Sequence, residues 1–441
     1  ANRQPHPPNR PRQMSAAFAV NLRKFAPKQR LAQQAARALS TAIAHEPFSA
    51  YEKLGGRSSW TGADIKDSEW WGKQLTEEHL AELHEATHAA MSSGQLAFEG
   101  DVALGVTKEN FPLAKTAELL AKMATELEHG QGATMLQGIP VENYSLQELG
   151  VMYLGMCSYI GHLVNQSSAG LRSKSRGYGL PLGHVKAEMR GKTPLEGKQS
   201  NNYFRLHTDR CDLITLLSVR TASKGGYSRI ASATAIHDAM LDRAPELVPL
   251  LYSPIERIWE GGSGVIALPI WATHPETGRF TTQISPSYIE NAQYVNGVRK
   301  LKAEEIEAID LIEEIGLEIG HEYLQMPGQV TFINNHLVYH GRTAWKFNTD
   351  DEPDKRDDVN NGRLLLRAWV SPYNSRELPN TAEFKEMWGA VEGGVPRGGL
   401  EPAMRAGIKE KPPELVEAYV SGKADYYGMY SRKFAGEDVN L

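Results

Sequence analysis

Asn202-Tyr203-Phe204-Arg205-Leu206-His207-Thr208-Asp209 is a short β-forming run that ends on an imidazole and a carboxylate two positions apart. In an extended chain, residues i and i+2 project from the same face, so His207 and Asp209 would reach one point. Two protein donors do not hold a metal. A third neutral imidazole later in the chain would complete the His, Asp, His face that leaves three adjacent positions open on octahedral Fe(II). The same run opens a change of texture. From about Arg205 onward come short β-like stretches at 213–219, 227–232, 265–271, 330–333 and 364–370, interrupted by helical patterns at 235–242 and 302–318. These do not alternate as a parallel βαβ sheet would require, which points to an antiparallel barrel or sandwich decorated by helices.

The front of the chain reads as helical. Thr76 caps a segment whose apolar side is Leu80, Leu83 and the Ala/Met run to Met91. A second helix is expected over 113–128 with Gly130 as its stop, then a strand over 133–141, and Ser145 with Glu148 forms a capping box for a helix ending near His162. Residues 1–45 carry eight Lys/Arg and no Asp or Glu, which suits either a basic arm on an acidic body or an organelle transit sequence. Residues 348–361 are charged and nearly without apolar anchors, and read as an exposed insertion. Three parts are expected: a basic arm and helical extension over 1–129, a core over 130–372, and a C-terminal helical extension over 373–441, with a helix-like segment near Tyr426.

Composition narrows the function classes. Among 441 residues, 41% are hydrophobic and 23% charged, the usual balance of a soluble globular chain, which excludes collagen, wholesale disorder and coiled coil. A net charge of −5 gives no basic field for nucleic acid or an anionic membrane, and no apolar run approaches a membrane span. The two cysteines, Cys157 and Cys211, are too few for a disulfide framework and suit a reducing compartment. The expectation is a cytoplasmic enzyme of small molecules, or a mitochondrial one if the basic N-terminus is a transit sequence. A homo-oligomer is compatible with this length.

Two other patterns compete for a metal. His84-Glu85-Ala86-Thr87-His88 matches the HExxH of zinc peptidases, but Met91 stands where a metzincin needs Gly and no further ligand is evident. Its plain reading is polar residues beside the buried stripe of an ordinary helix. His274-Pro275-Glu276 repeats the His-x-acid spacing beside a turn signal and reads as surface.

Downstream of the β-like 330–333 lies Asn334-Asn335-His336-Leu337-Val338-Tyr339-His340-Gly341-Arg342-Thr343, followed by Arg363-Leu364-Leu365-Leu366-Arg367. With His207-Thr208-Asp209 and Gly225-Gly226-Tyr227-Ser228 before them, these four elements occur in an order that resembles the taurine dioxygenase (TauD/TfdA-like) family of Fe(II)- and 2-oxoglutarate-dependent oxygenases. The resemblance spans residues 130–372. It implies an α+β fold with a double-stranded β-helix, a jelly-roll core with flanking helices, preceded by the helical N-terminal extension.

Residue by residue, the resemblance implies that His207, Asp209 and His340 bind iron. His336 is the rival for the third place, but it falls in the preceding turn, whereas the family's ligand stands immediately before Gly-Arg. Arg363 matches the arginine that grips the distal carboxylate of 2-oxoglutarate, a planar fork suited to bidentate recognition. Ser228 would supply a hydroxyl where the family more often has Thr, with Thr234 as the alternative. Arg367 matches a position that holds an acidic group of the primary substrate in several members; its plain reading is an ion pair. Asn165, Gln166 and Tyr203 are the remaining outer candidates. The Gly225-Gly226 pair has its own plain role as a tight turn. The spacing from His340 to Arg363, 23 residues, exceeds the family's, and the 348–361 insertion accounts for it.

The cosubstrates implied are 2-oxoglutarate and O2, with release of succinate and CO2 and oxidation of a C–H bond of a small, acidic or amino-acid-like molecule. Hydroxylation, desaturation and cyclisation share their first steps. The rival functions are a zinc peptidase built on residues 84–88 and a jelly-roll binding protein without turnover.

Overall fold

Eleven strands set the frame of the computed structural model, which describes residues 51–66, 68–166, 179–186, 189–190, 193–194, 201–259, 264–346, 362–399 and 413–421. They are β1 (Lys73–Gln74), β2 (Ala133–Gln137), β3 (Gly161–Val164), β4 (Leu182–Val185), β5 (Phe204–His207), β6 (Leu213–Arg220), β7 (Ser228–Ser232), β8 (His321–Tyr323), β9 (Val330–Asn334), β10 (Val338–Arg342) and β11 (Leu364–Pro372). The larger sheet runs β1-β2-β9-β6-β11-β3, with β4 also on β11, and the smaller runs β8-β7-β10-β5. All of these pairings are antiparallel except β1 with β2. This mixed helix-and-sheet body has a jelly-roll core.

Side-chain alternation explains why the larger sheet is buried on both faces. In β11, Leu366, Ala368 and Val370 join the core shared with the front helices, whereas Leu365 and Arg367 line a cavity and Trp369 packs inside. In β6, Leu213 and Leu217 face the helices, while Ile214 and Leu216 line the same cavity. The helices are α1 (Glu77–Ser92), α2 (Lys115–His129) and α3 (Leu146–Ile160). α3 is buried along almost its whole length, and α1 and α2 bury Leu83, Ala86, Ala90, Leu120, Met123 and Leu127 in that core. Each such Leu or Met contributes about 1.5–3 kcal/mol by leaving water. On the smaller sheet, α4 (Ala233–Arg243) and α5 (Ala303–Ile319) pack Ile236, Met240, Ile312 and Ile315 against Leu206, Ile230 and Tyr339.

The expected caps are present: Thr76 Oγ1 accepts from His79 N–H at 3.3 Å, and Ser145 and Glu148 satisfy each other's backbone N–H groups. Two expected runs are shorter than their sequence suggests. The run 133–141 ends as a strand at Gln137, because Gly138 takes a positive φ of 107° and a 3-10 turn follows at Val141–Asn143. The run 265–271 is two strands, Gly264–Leu268 and Trp271–Thr273, parted by a proline that cannot donate to a ladder. β10 is missing from the sequence-based strands because Gly341 and two basic side chains break its apolar alternation. The basic arm at 1–45, the insertion at 348–361 and the segment near Tyr426 lie outside the described residues. No described helix is long and apolar enough to cross a membrane.

Candidate metal centre and its cavity

Antiparallel register brings the two decisive imidazoles together, since His340 of β10 is the direct cross-strand partner of His207 of β5. Their ring centroids are 4.2 Å apart. The next pair is Arg342 with Phe204, so β5 carries one residue more than β10 between the two pairs, a β-bulge. The bulge lets Phe204 and His207, three positions apart, both face the cavity, while Arg205 and Leu206 turn away from it. Gly341 fits the same crossing: a Cβ there would lie 2.7 Å from the Phe204 carbonyl oxygen.

Asp209 joins them from the loop after β5. One donor atom from each of His207, Asp209 and His340 lies within 4.8 Å of the other two, and these residues are the metal-capable cluster found among the described residues. Each donor is prepared. His207 Nδ1–H donates to the Arg205 carbonyl at 2.8 Å, which leaves Nε2 as the free lone pair, 3.8 Å from Asp209 Oδ1. His340 Nδ1 is buried without a hydrogen-bond partner among the described residues. Burial holds the His207 pKa below the ordinary value, and burial followed by the neighbouring His207 pushes His340 down to about 3. For Asp209, burial raises the pKa, but Arg367 first, then the two imidazoles and the Trp369 indole outweigh it, and the carboxyl settles at about 2. At neutral pH the cluster is therefore two neutral imidazoles and one carboxylate, the donor set that suits non-haem Fe(II).

The triad opens onto a cavity between the two sheets. Val185, Phe204, Ile214, Leu216 and Leu365 make its apolar wall; Ser228, Arg342, Arg363 and Arg367 are its polar groups besides the imidazoles. Arg363 is 6% exposed, and among the described residues no carboxylate pairs with it. Burial, then repulsion from Arg342, push its pKa to about 9, with Tyr323 opposing, so it stays charged at neutral pH. A buried guanidinium without a counter-ion is costly. It fits an anionic ligand entering the cavity. Ser228 is the register partner of both Arg342 and Tyr323, so the hydroxyl and the second guanidinium arrive at one end. Tyr323 hydrogen-bonds Thr331 at 3.0 Å, and burial pushes its phenol up to about 12. Gly225 and Gly226 form the expected turn, at φ 74° and 75°, and Gly226 lets the Arg363 stem pack against the backbone.

The remaining sequence candidates are placed as follows. Arg367 lines the cavity but is an ion-pair partner rather than a free anchor: Nη1 donates to Asp209 Oδ2 at 2.8 Å and Nε to Gln166 Oε1 at 2.8 Å. Gln166 is fully buried behind it, and Asn165 is not among the lining residues. Tyr203 faces away, its hydroxyl donating to Glu313 in a buried cluster with Arg205, Glu290 and Asp310. Thr234 also lies elsewhere, in the first turn of α4 beside Ser232 and Ser58. His336 has no nitrogen to offer, since Nδ1 meets Thr281 Oγ1 at 2.6 Å and Nε2 meets Asp212 Oδ1 at 2.7 Å. His274 is buried, not on the surface: its Nδ1 accepts from the Glu276 and Thr277 N–H groups and closes the turn. His84, Glu85 and His88 are exposed on α1, and no third donor joins them among the described residues. Sequence reading assigned no role to Arg342, Tyr323 or Trp369. Trp369 had one legible signal, the odd-number parity it shares with Arg363 and Arg367.

Residues 98–369 match the family described as taurine catabolism dioxygenase TauD, TfdA family. FR-33289 synthase of Streptomyces rubellomurinus is 30% identical over 341 residues, which cover 76% of this chain and 94% of that protein. A taurine hydroxylase-like protein of Stachybotrys chartarum is 24% identical over 300 residues, 66% of this chain and 74% of that one. Among solved structures, asparagine oxygenase with Fe(II), 2S,3S-3-hydroxyasparagine and succinate superposes with a TM-score of 0.50 at 15% identity, covering 68% of this chain and 93% of that chain.

Proposed function

Since the chain belongs to the TauD, TfdA family of dioxygenases, we propose that His207, Asp209 and His340 hold its iron and that Arg363, with Ser228, holds 2-oxoglutarate. The enzyme is an oxidoreductase that depends on Fe(II), 2-oxoglutarate and O2. The observation that carries the assignment is the convergence of three deprotonated donors within 4.8 Å at a cavity that also contains a buried guanidinium lacking a carboxylate among the described residues.

Bound iron supplies the activation of O2 that oxidises a C–H bond while 2-oxoglutarate becomes succinate and CO2. The chain's own residues select and orient. Arg363 offers a planar fork to a carboxylate, and Ser228 offers one hydroxyl beside it. Ile214, Leu216, Leu365 and Phe204 keep water from the space between that end and the triad.

The primary substrate is a small organic acid of amino-acid-like size. Taurine, in the family's description, is such a molecule. Hydroxylation is the reading for the reaction, with desaturation or ring closure as outcomes of the same first step. The assignment is tested by adding Fe(II) and then 2-oxoglutarate anaerobically to metal-free protein. A visible charge-transfer band is expected in wild type and none in His340→Ala; a band that persists in His340→Ala would refute the ligand set.

A further inference from the structure

The Asp209 carboxylate is used unequally. Oδ2 accepts two charge-assisted or directed N–H groups, from Arg367 Nη1 at 2.8 Å and from the Trp369 indole at 2.9 Å. Oδ1 accepts no such N–H group among the described residues and lies 3.8 Å from His207 Nε2. Arg367 is itself fixed at a second point. Gln166 accepts from its Nε at 2.8 Å and donates to its backbone carbonyl at 2.7 Å, closing a ring between one side chain of the loop after β3 and one residue of β11. Gln166 is fully buried and donates as well to the Pro181 carbonyl at 3.1 Å, so the amide has a single orientation available. The arginine plane lies against the Trp369 ring at 4.8 Å, which aligns the two donors.

We propose that Gln166 and Trp369 are positioning residues which, through Arg367 and directly, commit one oxygen of Asp209 and leave the other as the sole carboxylate donor to the metal. This rests on the ligand assignment above. Its consequence is a count of positions. Three protein donors, one from each residue, leave three on octahedral iron, enough for a bidentate 2-oxoacid and O2. A carboxylate free to turn and chelate with both oxygens would take a fourth and leave one too few. Outer partners of this kind typically change metal affinity by about 10–100-fold when removed. The same geometry gives Arg367 a duty other than anchoring the primary substrate.

The test uses the metal-free full chain and Co(II) as the probe, in wild type, Trp369→Phe, Gln166→Leu and His340→Ala. Affinity is read by chelator competition, coordination by the visible Co(II) spectrum with and without 2-oxoglutarate, and folding by the thermal midpoint of the metal-free proteins. Expected are a loss of about 10–100-fold in Co(II) affinity for Trp369→Phe and Gln166→Leu, and an altered spectrum, at nearly unchanged midpoints. A merely structural role would move the midpoint and spare the spectrum. Wild-type affinity and spectrum in both variants overturn the proposal while leaving the ligand set intact. Retained Co(II) binding in His340→Ala overturns the ligand set instead. Should Gln166→Leu fail to fold, Trp369→Phe decides, because its indole N–H has Asp209 as its partner.

Discussion

Two clusters of the same three residue types, their aspartates and histidines only a few positions apart in this chain, do opposite things. Asp209, His340 and Arg367 meet at the cavity; Asp212, His336 and Arg397 meet in the core behind it. The aspartates are separated by three residues and the histidines by four. Burial does not tell the clusters apart, since His336 and His340 are 0% and 8% exposed. Satisfaction does. In the closed cluster, both His336 nitrogens have partners, and Arg397 donates to Asp212 and to the Arg376, Val391 and Glu392 carbonyls. In the open cluster His340 Nδ1 has none among the described residues, and Asp209 Oδ1 lies 3.8 Å from His207 Nε2. An idle buried polar atom costs about 1–3 kcal/mol, and at the open cluster the idle atom stands among metal-capable donors at a cavity, whereas in the closed cluster His336 and Arg397 are engaged.

The strongest way to break this contrast is to exchange the expected effects. Arg397→Met should cost about 3–5 kcal/mol in urea unfolding, because it strands a buried carboxylate. Whatever fraction folds should still bind one Fe(II). His340→Ala should do the reverse, abolishing stoichiometric Fe(II) binding while leaving the metal-free thermal midpoint within a few degrees. A His340→Ala protein that unfolds, or an Arg397→Met protein that is stable but metal-free, would dissolve the distinction.

A smaller effect is expected within the open region itself, at its anion end. Arg363→Ala should raise the 2-oxoglutarate dissociation constant about 10–100-fold, the loss of hydrogen bonds to a charged group, with Fe(II) affinity unchanged. Calorimetry of Fe(II) and of 2-oxoglutarate on the same protein separates the two. Equal losses for both ligands would mean that Arg363 supports the triad rather than the cosubstrate.

How much of this was legible from residues alone follows the same division. The His-x-Asp run, the His before Gly-Arg and the two arginines four apart were visible because each depends on local spacing. So were the caps at Thr76 and Ser145 and the alternation of β6 and β11. Arg367 was visible as a position and misleading as a role. Its partner Gln166 is 201 residues away, and only the folded sheet decides whether a guanidinium faces substrate or a neighbour's carboxylate. The β5 bulge was hidden for a related reason: an extra residue in one strand has no signature until its partner strand is known. Tyr203 looked like a site residue by proximity to His207, and the bulge turns it toward Glu313.

The acid limb sharpens the comparison at the level of about 1.4 kcal/mol per pH unit. Burial raises the Asp212 pKa, but Arg397 and the His336 hydrogen bond hold it well below the usual carboxylate range. A carboxyl depressed in the folded state stabilises above its unfolded pKa of about 4 and loses that contribution as pH falls through the folded value. Wild type and Asp212→Asn should therefore differ most at neutral pH, and the gap should narrow below about pH 4, where wild type loses what the variant never had. Urea midpoints of the two metal-free proteins from pH 7 to pH 3 measure it. A gap constant across that range would place the stabilisation in packing rather than charge.

The smallest effect is expected at the most conspicuous motif. His84 and His88 meet edge-on one turn apart on α1, ring centroids 4.3 Å apart, with His84 Nδ1 beside the Tyr144 hydroxyl at 3.1 Å. Both are exposed, so neither carries the cost that made His340 informative. His84→Ala should leave Fe(II) binding, the 2-oxoglutarate band and stability within about 0.5 kcal/mol of wild type, the ordinary range for surface substitutions. Exposed imidazoles at this spacing still bind soft divalent ions weakly, so the sharper measurement is zinc content after dialysis against a chelator. Zinc retained by wild type and His340→Ala but lost from His84→Ala would show a held metal on α1. An exposed pair of donors would then be doing what burial and incomplete satisfaction reserve for the cavity.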